Sequence, residues 1–244
     1  MPTIRRLLAA TAAALTLACA SAGAQPDSQA SLYNRLASLA PSGNPEVQYN
    51  LGMFLNNGIG TAPDRAAAFK QFSQAAEAGH PLAAYKVGCY HAGQFPGVVP
   101  TDAAQALQFK LRAAEAGYEL AQLDVGTLFA RRGEAGQAAR WWESASRQGN
   151  LQATARLAHA LSGDAAHAAK AYALMGLLKT MSPAAPKELL TRIDELQARL
   201  TDQDKATAAE ISASWLQAKT PLTLRANEGM AAVPALLASL ERRP

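Results

Sequence analysis

The stretch YNLGMFLNNGIGTAPDRAAAFKQFSQAAEAGH, from Tyr49 to His80, is soon followed by a second version of itself, YKVGCYHAGQFPGVVPTDAAQALQFKLRAAEAGY, from Tyr85 to Tyr118. Each copy holds two helical patterns joined by a turn bearing glycine and proline. A unit of this size cannot bury its apolar face alone, so the copies must stack and share one core. Alanine and leucine at helical spacing dominate the rest of the chain, and runs of β-branched residues are absent. The expected class is all-α: a solenoid of helix-turn-helix repeats.

In the first copy Val47, Leu51 and Leu55 fall at i, i+4 and i+8, which predicts a helix A from Pro45 to Asn57. Helix B starts at Pro63 and Asp64, where proline suits the first turn and a carboxylate meets the positive end of the helix dipole. It ends in Ala75-Ala76-Glu77-Ala78-Gly79, the glycine taking the left-handed conformation of a C-terminal cap. Asp102 and Gly117 hold the same posts in the second copy, and Gly149 ends the third. Glycine inside a helix costs about 1 kcal/mol relative to alanine. Its recurrence at Gly52, Gly88 and Gly126 therefore predicts a neighbouring backbone too close for a side chain.

The units so delimited are 45–80, 81–118 and 119–150, followed by a degenerate one at 151–180. The third keeps Gly126, Ala138, Trp141, Ala145 and Gly149 but shortens its inner turn. The fourth has Ala158 in the glycine's place, and either Asp164 or His167 stands for the aspartate. Ser31–Ala40, within 25–44, predicts a short N-terminal capping helix. Over 181–219, Leu189, Ile193, Leu196 and Leu200 mark one helix. Ala208, Ile211 and Trp215 mark another, from Thr201 to Lys219, opened by a capping box of Thr201 and Asp204. The pair caps the stack. Residues 220–244 are expected to form a linker to Glu228 and a short helix over Met230–Leu240.

The beginning, MPTIRRLLAATAAALTLACASAGAQ, sets Arg5 and Arg6 before an apolar run and small residues ending at Ala24. This predicts a signal peptide over 1–24, export to the periplasm or beyond, and no transmembrane span, the run being short of the roughly 20 residues that a spanning helix needs. The alternative is a lipoprotein anchored through Cys19. Of 23 basic residues two leave with the leader, so 21 face 19 acidic ones. That balance, without a basic run, gives no support for a nucleic-acid partner. Cys89 is the one cysteine after the leader, which leaves it no intramolecular partner and suggests a buried small hydrophobe.

The pattern resembles the Sel-one-like repeat family, a relative of the tetratricopeptide repeats, over about residues 45 to 180. The first copy matches its motif at Tyr49, Leu51, Gly52, Gly58, Gly60, Asp64, Ala68, Ala75, Ala76, Glu77 and Gly79. The second matches through Tyr85, Gly88, Tyr90, Gly93, Gly97, Val98, Asp102, Ala106, Ala113, Ala114, Glu115 and Gly117. The family's tryptophan is replaced by Gln71 and Phe109 and kept at Trp141. The resemblance implies a superhelix whose concave side, lined by A helices, binds a protein, peptide or glycan. A cysteine-rich exported branch ties its helix pairs with disulfides; this chain lacks those cysteines, so the ligand binding and weak hydrolase activity of that branch stay an alternative.

No motif for a cofactor, metal or catalytic elbow is present. Glu77 and Glu115 recur as parts of the repeat rather than as paired catalytic carboxylates. His80, His91, His159 and His167 show no i, i+4 pair, although His159, His167 and Asp164 flank one turn, and their clustering would favour the enzyme alternative. Trp142 is offset by about 100° from Trp141 on a helix, so the two cannot share one core stripe: the second either packs against the next helix or faces outward to anchor a partner. The expected partner-binding residues are Tyr49, Tyr85, Gln122, Trp142 and Arg156, and function is expected where the copies differ.

Overall fold

The computed structural model describes residues 28–182 and 186–242. The expected signal peptide and Cys19 lie outside them. Every regular element among the described residues is helical. After α1 (Gln29–Leu39), the helices run in pairs: α2 (Pro45–Asn57) with α3 (Arg65–Glu77), α4 (Pro81–His91) with α5 (Ala103–Glu115), α6 (Glu119–Arg131) with α7 (Ala135–Arg147), and α8 (Leu151–Leu161) with α9 (Ala168–Met181). Each packs on the next in chain order, which makes an α-α solenoid. Helices α10 (Lys187–Gln197) and α11 (Asp202–Ser214) pack on α9, and α12 (Pro221–Glu228) and α13 (Val233–Glu241) follow.

The boundaries are set by local chemistry. Asp64 Oδ1 accepts the Ala67 N–H at 2.9 Å, and Asp102 Oδ1 accepts those of Ala104 and Gln105 at 2.8 and 3.0 Å. Each bond satisfies a donor that the first turn cannot pair internally. At the other end Gly79, Gly117 and Gly149 have φ of +90°, +93° and +87°, which turns the chain into the next unit. Asp164 caps a single 3-10 turn that leads into α9, with its Oδ1 accepting the Ala166 N–H at 2.9 Å.

The glycines inside helices answer to a side chain more than to a backbone. A Cβ at Gly52 would stand 2.7 Å from the Phe72 ring, one at Gly88 2.7 Å from Lys110 Cγ, and one at Gly126 2.5 Å from Trp142 Cδ1. Backbone comes second, with the carbonyls of Ala106 and Ala138 at 3.1 Å from the latter two. Phe72, Lys110 and Trp142 thus hold one structural post, each a residue past Gln71, Phe109 and Trp141. Trp142 is buried there, contrary to the expectation that it faces a partner, while Trp141 is half-buried against the same core.

The C-terminal region departs most from expectation. Helix α11 stops at Ser214, five residues short of Lys219, and residues 215–220 are not helical. The stretch expected as a linker is α12, with Thr220 as N-cap, Pro221 at its first position and Thr223 fully buried. The reason is distant: besides capping their own turn, the polar groups of this segment bond to the repeats. Val233 and Leu237 of α13 are then buried with Leu36 of α1 and Phe54 of α2, and Arg35 of α1 pairs with Glu241 at 2.8 Å. The chain end has returned to the first repeat.

Candidate functional site

The last turn of the third B helix reads Ala145-Ser146-Arg147-Gln148-Gly149 where the first two copies have Ala-Ala-Glu-Ala-Gly. The three departures are the residues that hold the returning segment. Trp215 is buried, and its Nε1–H donates to Ser146 Oγ at 2.8 Å. Thr154 spends its hydroxyl proton on the Asn150 carbonyl at 2.9 Å, so the Ser146 hydroxyl donates to Thr154 Oγ1 at 2.7 Å and keeps its lone pairs for the indole. The Arg147 guanidinium lies 4.3 Å from the Trp215 ring centre and the Lys170 ammonium 5.1 Å, placing both as cations against its π system. Glu143 accepts from Arg147 at 3.0 Å and Lys170 at 2.7 Å. Burial alone would raise its pKa; these bonds outweigh burial and lower it.

Beyond Trp215 the contacts turn to backbone and small polar groups. Gln217 N–H donates to the Arg147 carbonyl at 2.7 Å. Gln148 Oε1 accepts from the Thr220 N–H at 3.0 Å and the Thr223 hydroxyl at 2.9 Å. Its Nε2 donates to the Gly117 carbonyl and to Gln122 Oε1, both at 2.9 Å. The Thr220 hydroxyl donates to the same Gly117 carbonyl at 2.8 Å, and Thr223 Oγ1 accepts the Glu119 N–H at 3.1 Å. Lys219 Nζ meets Glu119 at 2.9 Å. Further along, Arg225 pairs with Glu46, and Glu46 also accepts from His80 Nε2 at 2.9 Å. Residues 215–225 therefore form a strap that crosses the junctions between repeats in reverse order, third, second and first.

His80 illustrates how tightly the junctions are wired. Its Nδ1 accepts the Ala83 N–H at 3.1 Å as the N-cap of α4, so the ring proton sits on Nε2 and points at Glu46. Tyr49 stacks on the imidazole at 4.6 Å between centres. Burial lowers the His80 pKa to about 4, which keeps the ring neutral.

A second polar group lies between the second and third repeats. Lys110, nearly fully buried under Gly88, reaches Asp124 at 2.5 Å, and the Tyr85 hydroxyl donates to the same carboxylate at 3.2 Å. Tyr118 meets Tyr85 edge-on at 5.0 Å. Burial pushes the Tyr85 phenol far above its ordinary pKa and that of Tyr118 to about 12, so both hydroxyls remain protonated. Cys89 is buried, and burial raises its thiol pKa as well, away from a reactive thiolate.

The five residues expected to bind a partner are thus dispersed. Arg156 is exposed on α8, Tyr49 and Tyr85 are half-buried, and Trp142 and Gln122 are buried, Gln122 supporting Gln148 from behind. His167 Nδ1 and Asp164 Oδ2 meet at 2.8 Å on the surface, whereas His159 is bonded to neither. Among the described residues no group of three His, Cys, Asp or Glu side chains is placed to hold a metal ion, and no helix is long and apolar enough to cross a membrane. Ser146, Arg147, Gln148 and Glu119 were not singled out by sequence reasoning. Their signal is the loss of Ala-Ala-Glu-Ala-Gly in the third copy.

Helix pairs stacked in chain order, with junctions that bind the returning C-terminal segment, define an α-solenoid repeat protein. Residues 45–80, 81–118 and 121–150 each match the Sel1 repeat. Proteins built of such repeats act in general as protein-interaction modules. No curated protein matches the chain. Among solved structures, a Sel1 repeat protein from Oxalobacter formigenes is similar at a TM-score of 0.56 and 22% identity, over 74% of this chain and 77% of that one. The protein c5321, a protective antigen of uropathogenic Escherichia coli with an SLR fold, aligns at a TM-score of 0.47 and 19% identity, over 79% of this chain and 50% of that one.

Proposed function

We propose that this chain is a non-enzymatic interaction module of the cell envelope that holds a protein or peptide partner on its repeat stack. The observation that carries the reading is the strap. The stack already grips a peptide segment through an indole, carbonyls, amides and small side chains at the junctions, the kinds of contact by which extended peptides are recognised. Arg5 and Arg6 ahead of the apolar run, with small residues up to Ala24, support export. The test is capture with the tagged mature chain from its own envelope, followed by mapping of cross-links to whatever is retained. Cross-links at residues 117–122 and 146–156, including the neighbourhood of Arg156, are expected. Retention of nothing, or cross-links confined to α10, would contradict the reading.

A further inference from the structure

We infer that the strap is a displaceable internal ligand, and that the partner segment which replaces it is a peptide bearing a tryptophan followed by lysine and threonine, as in Trp215, Lys219 and Thr220. This rests on the interaction reading above and names its ligand class. Three observations support it.

The strip is specific for that chemistry. Ser146 offers one acceptor to an indole N–H, Arg147 and Lys170 cover the ring, Glu119 takes an ammonium, and the Gly117 carbonyl takes a hydroxyl. All but Gly117 belong to the third and fourth repeats, and Ser146, Arg147 and Gln148 replace small or acidic residues of the first two copies.

The middle of the strap is also the part of the C-terminal region least able to hold itself. Between Trp215 and Val233 the one buried side chain is Thr223. Its remaining bonds are polar and border solvent, the signature of a segment that opens before the core does. Helix α13, by contrast, has Val233 and Leu237 fully buried. The stretch after Trp215 can therefore open while α13 stays docked, and displacing the whole strap also withdraws the buried Trp215.

The exposed large hydrophobics of the described chain gather along its path. Leu216 and Leu224 lie on the strap, and Leu120 and Leu151 stand in the first turns of α6 and α8, which follow the junctions it crosses. Leu216 and Leu224 thus present apolar side chains to solvent on the very segment that is to be displaced.

The experiment uses the full mature chain and a fluorescein-labelled synthetic peptide of residues 213–225. Wild type, Trp215→Ala and Trp215→Ala with Gln148→Ala are titrated, with circular dichroism confirming helix content. The Trp215→Ala chain should bind the peptide at least tenfold more tightly than wild type, and adding Gln148→Ala should remove that gain. Absence of binding to folded Trp215→Ala, or equal binding to all three, would overturn the inference. Should Trp215→Ala fail to fold, Thr220→Ala loosens the same segment from its half-buried end and must give the same order. Failure here with a retained envelope partner would leave the interaction reading standing; failure to retain any partner would remove that reading while leaving the peptide result interpretable by itself.

Discussion

The Trp215 indole donates to Ser146 Oγ at 2.8 Å in a buried site, across 69 positions of sequence. The bond closes a relay from Trp215 through Ser146 and Thr154 to the Asn150 carbonyl, in which each donor has one acceptor. Ser146→Ala leaves the indole N–H buried without an acceptor, which costs about 1–3 kcal/mol. The loss should appear as a lower urea midpoint and as faster trypsin cleavage after Lys219. Trp215→Phe, which lacks the N–H, should make the further change Ser146→Ala nearly neutral.

Gly126 and Gly136 provide a matched pair. Both are helical, but a Cβ at Gly126 meets Trp142 at 2.5 Å whereas one at Gly136 meets nothing within 4 Å. Gly136→Ala should stabilise by up to about 1 kcal/mol from helix propensity. Gly126→Ala should destabilise by about 1–3 kcal/mol, because overpacking outweighs that gain. Urea unfolding of the two variants gives opposite signs.

His80 makes stability depend on pH. Its folded pKa of about 4 lies below the ordinary 6.5, so between those values the unfolded chain takes a proton that the folded chain refuses. The contribution is fully present above pH 6.5 and is lost as pH falls towards 4. It amounts to about 3 kcal/mol at most, and the Glu46 carboxylate, which favours the charged ring, reduces it. His80→Asn keeps an N-cap acceptor of the kind that Asn44 and Asn150 supply, and should flatten the fall in thermal midpoint over that window.

Lys110 holds the post occupied by Phe72 and Trp142 in neighbouring repeats. Lys110→Met removes the cation and leaves the partly buried Asp124 carboxylate with the Tyr85 hydroxyl alone. A loss of about 1–3 kcal/mol follows, smaller than for a fully buried pair because Asp124 borders water. The double change Lys110→Met with Asp124→Asn should recover most of it. A double-mutant cycle in urea measures the coupling.

Much of the repeat stack was legible because its determinants are local. Asp64 and Asp102 cap the helices they precede, Gly79 and Gly117 turn the chain by their own φ, and Gly52 announces close packing by its cost. The identity of the close neighbour was not legible, since Phe72 and Trp142 sit one residue beyond the motif's tryptophan post. The strap was misread for the same kind of reason. Ala208, Ile211 and Trp215 continue a helical period, so nothing nearby shows that Trp215 answers to Ser146 instead. The polar run after Pro221 reads as solvated because its partners, Gly117, Glu119 and Gln148, lie about 70 to 100 residues away. The one sequence trace of the strap is the replacement of Ala-Glu-Ala by Ser146-Arg147-Gln148.

Amide hydrogen exchange on the wild-type chain and on Gln148→Ala tests most directly whether those replacements hold the strap. In wild type the Gln217 and Thr220 amides, bonded to Arg147 and Gln148, should be protected. In Gln148→Ala, exchange across 217–224 should rise on the order of tenfold, the effect of losing about 1.4 kcal/mol of local stability, while the α13 amides remain as slow as before. Rapid exchange of 217–224 already in wild type, or identical protection in both proteins, would contradict the central claim that the repeat junctions bind this segment.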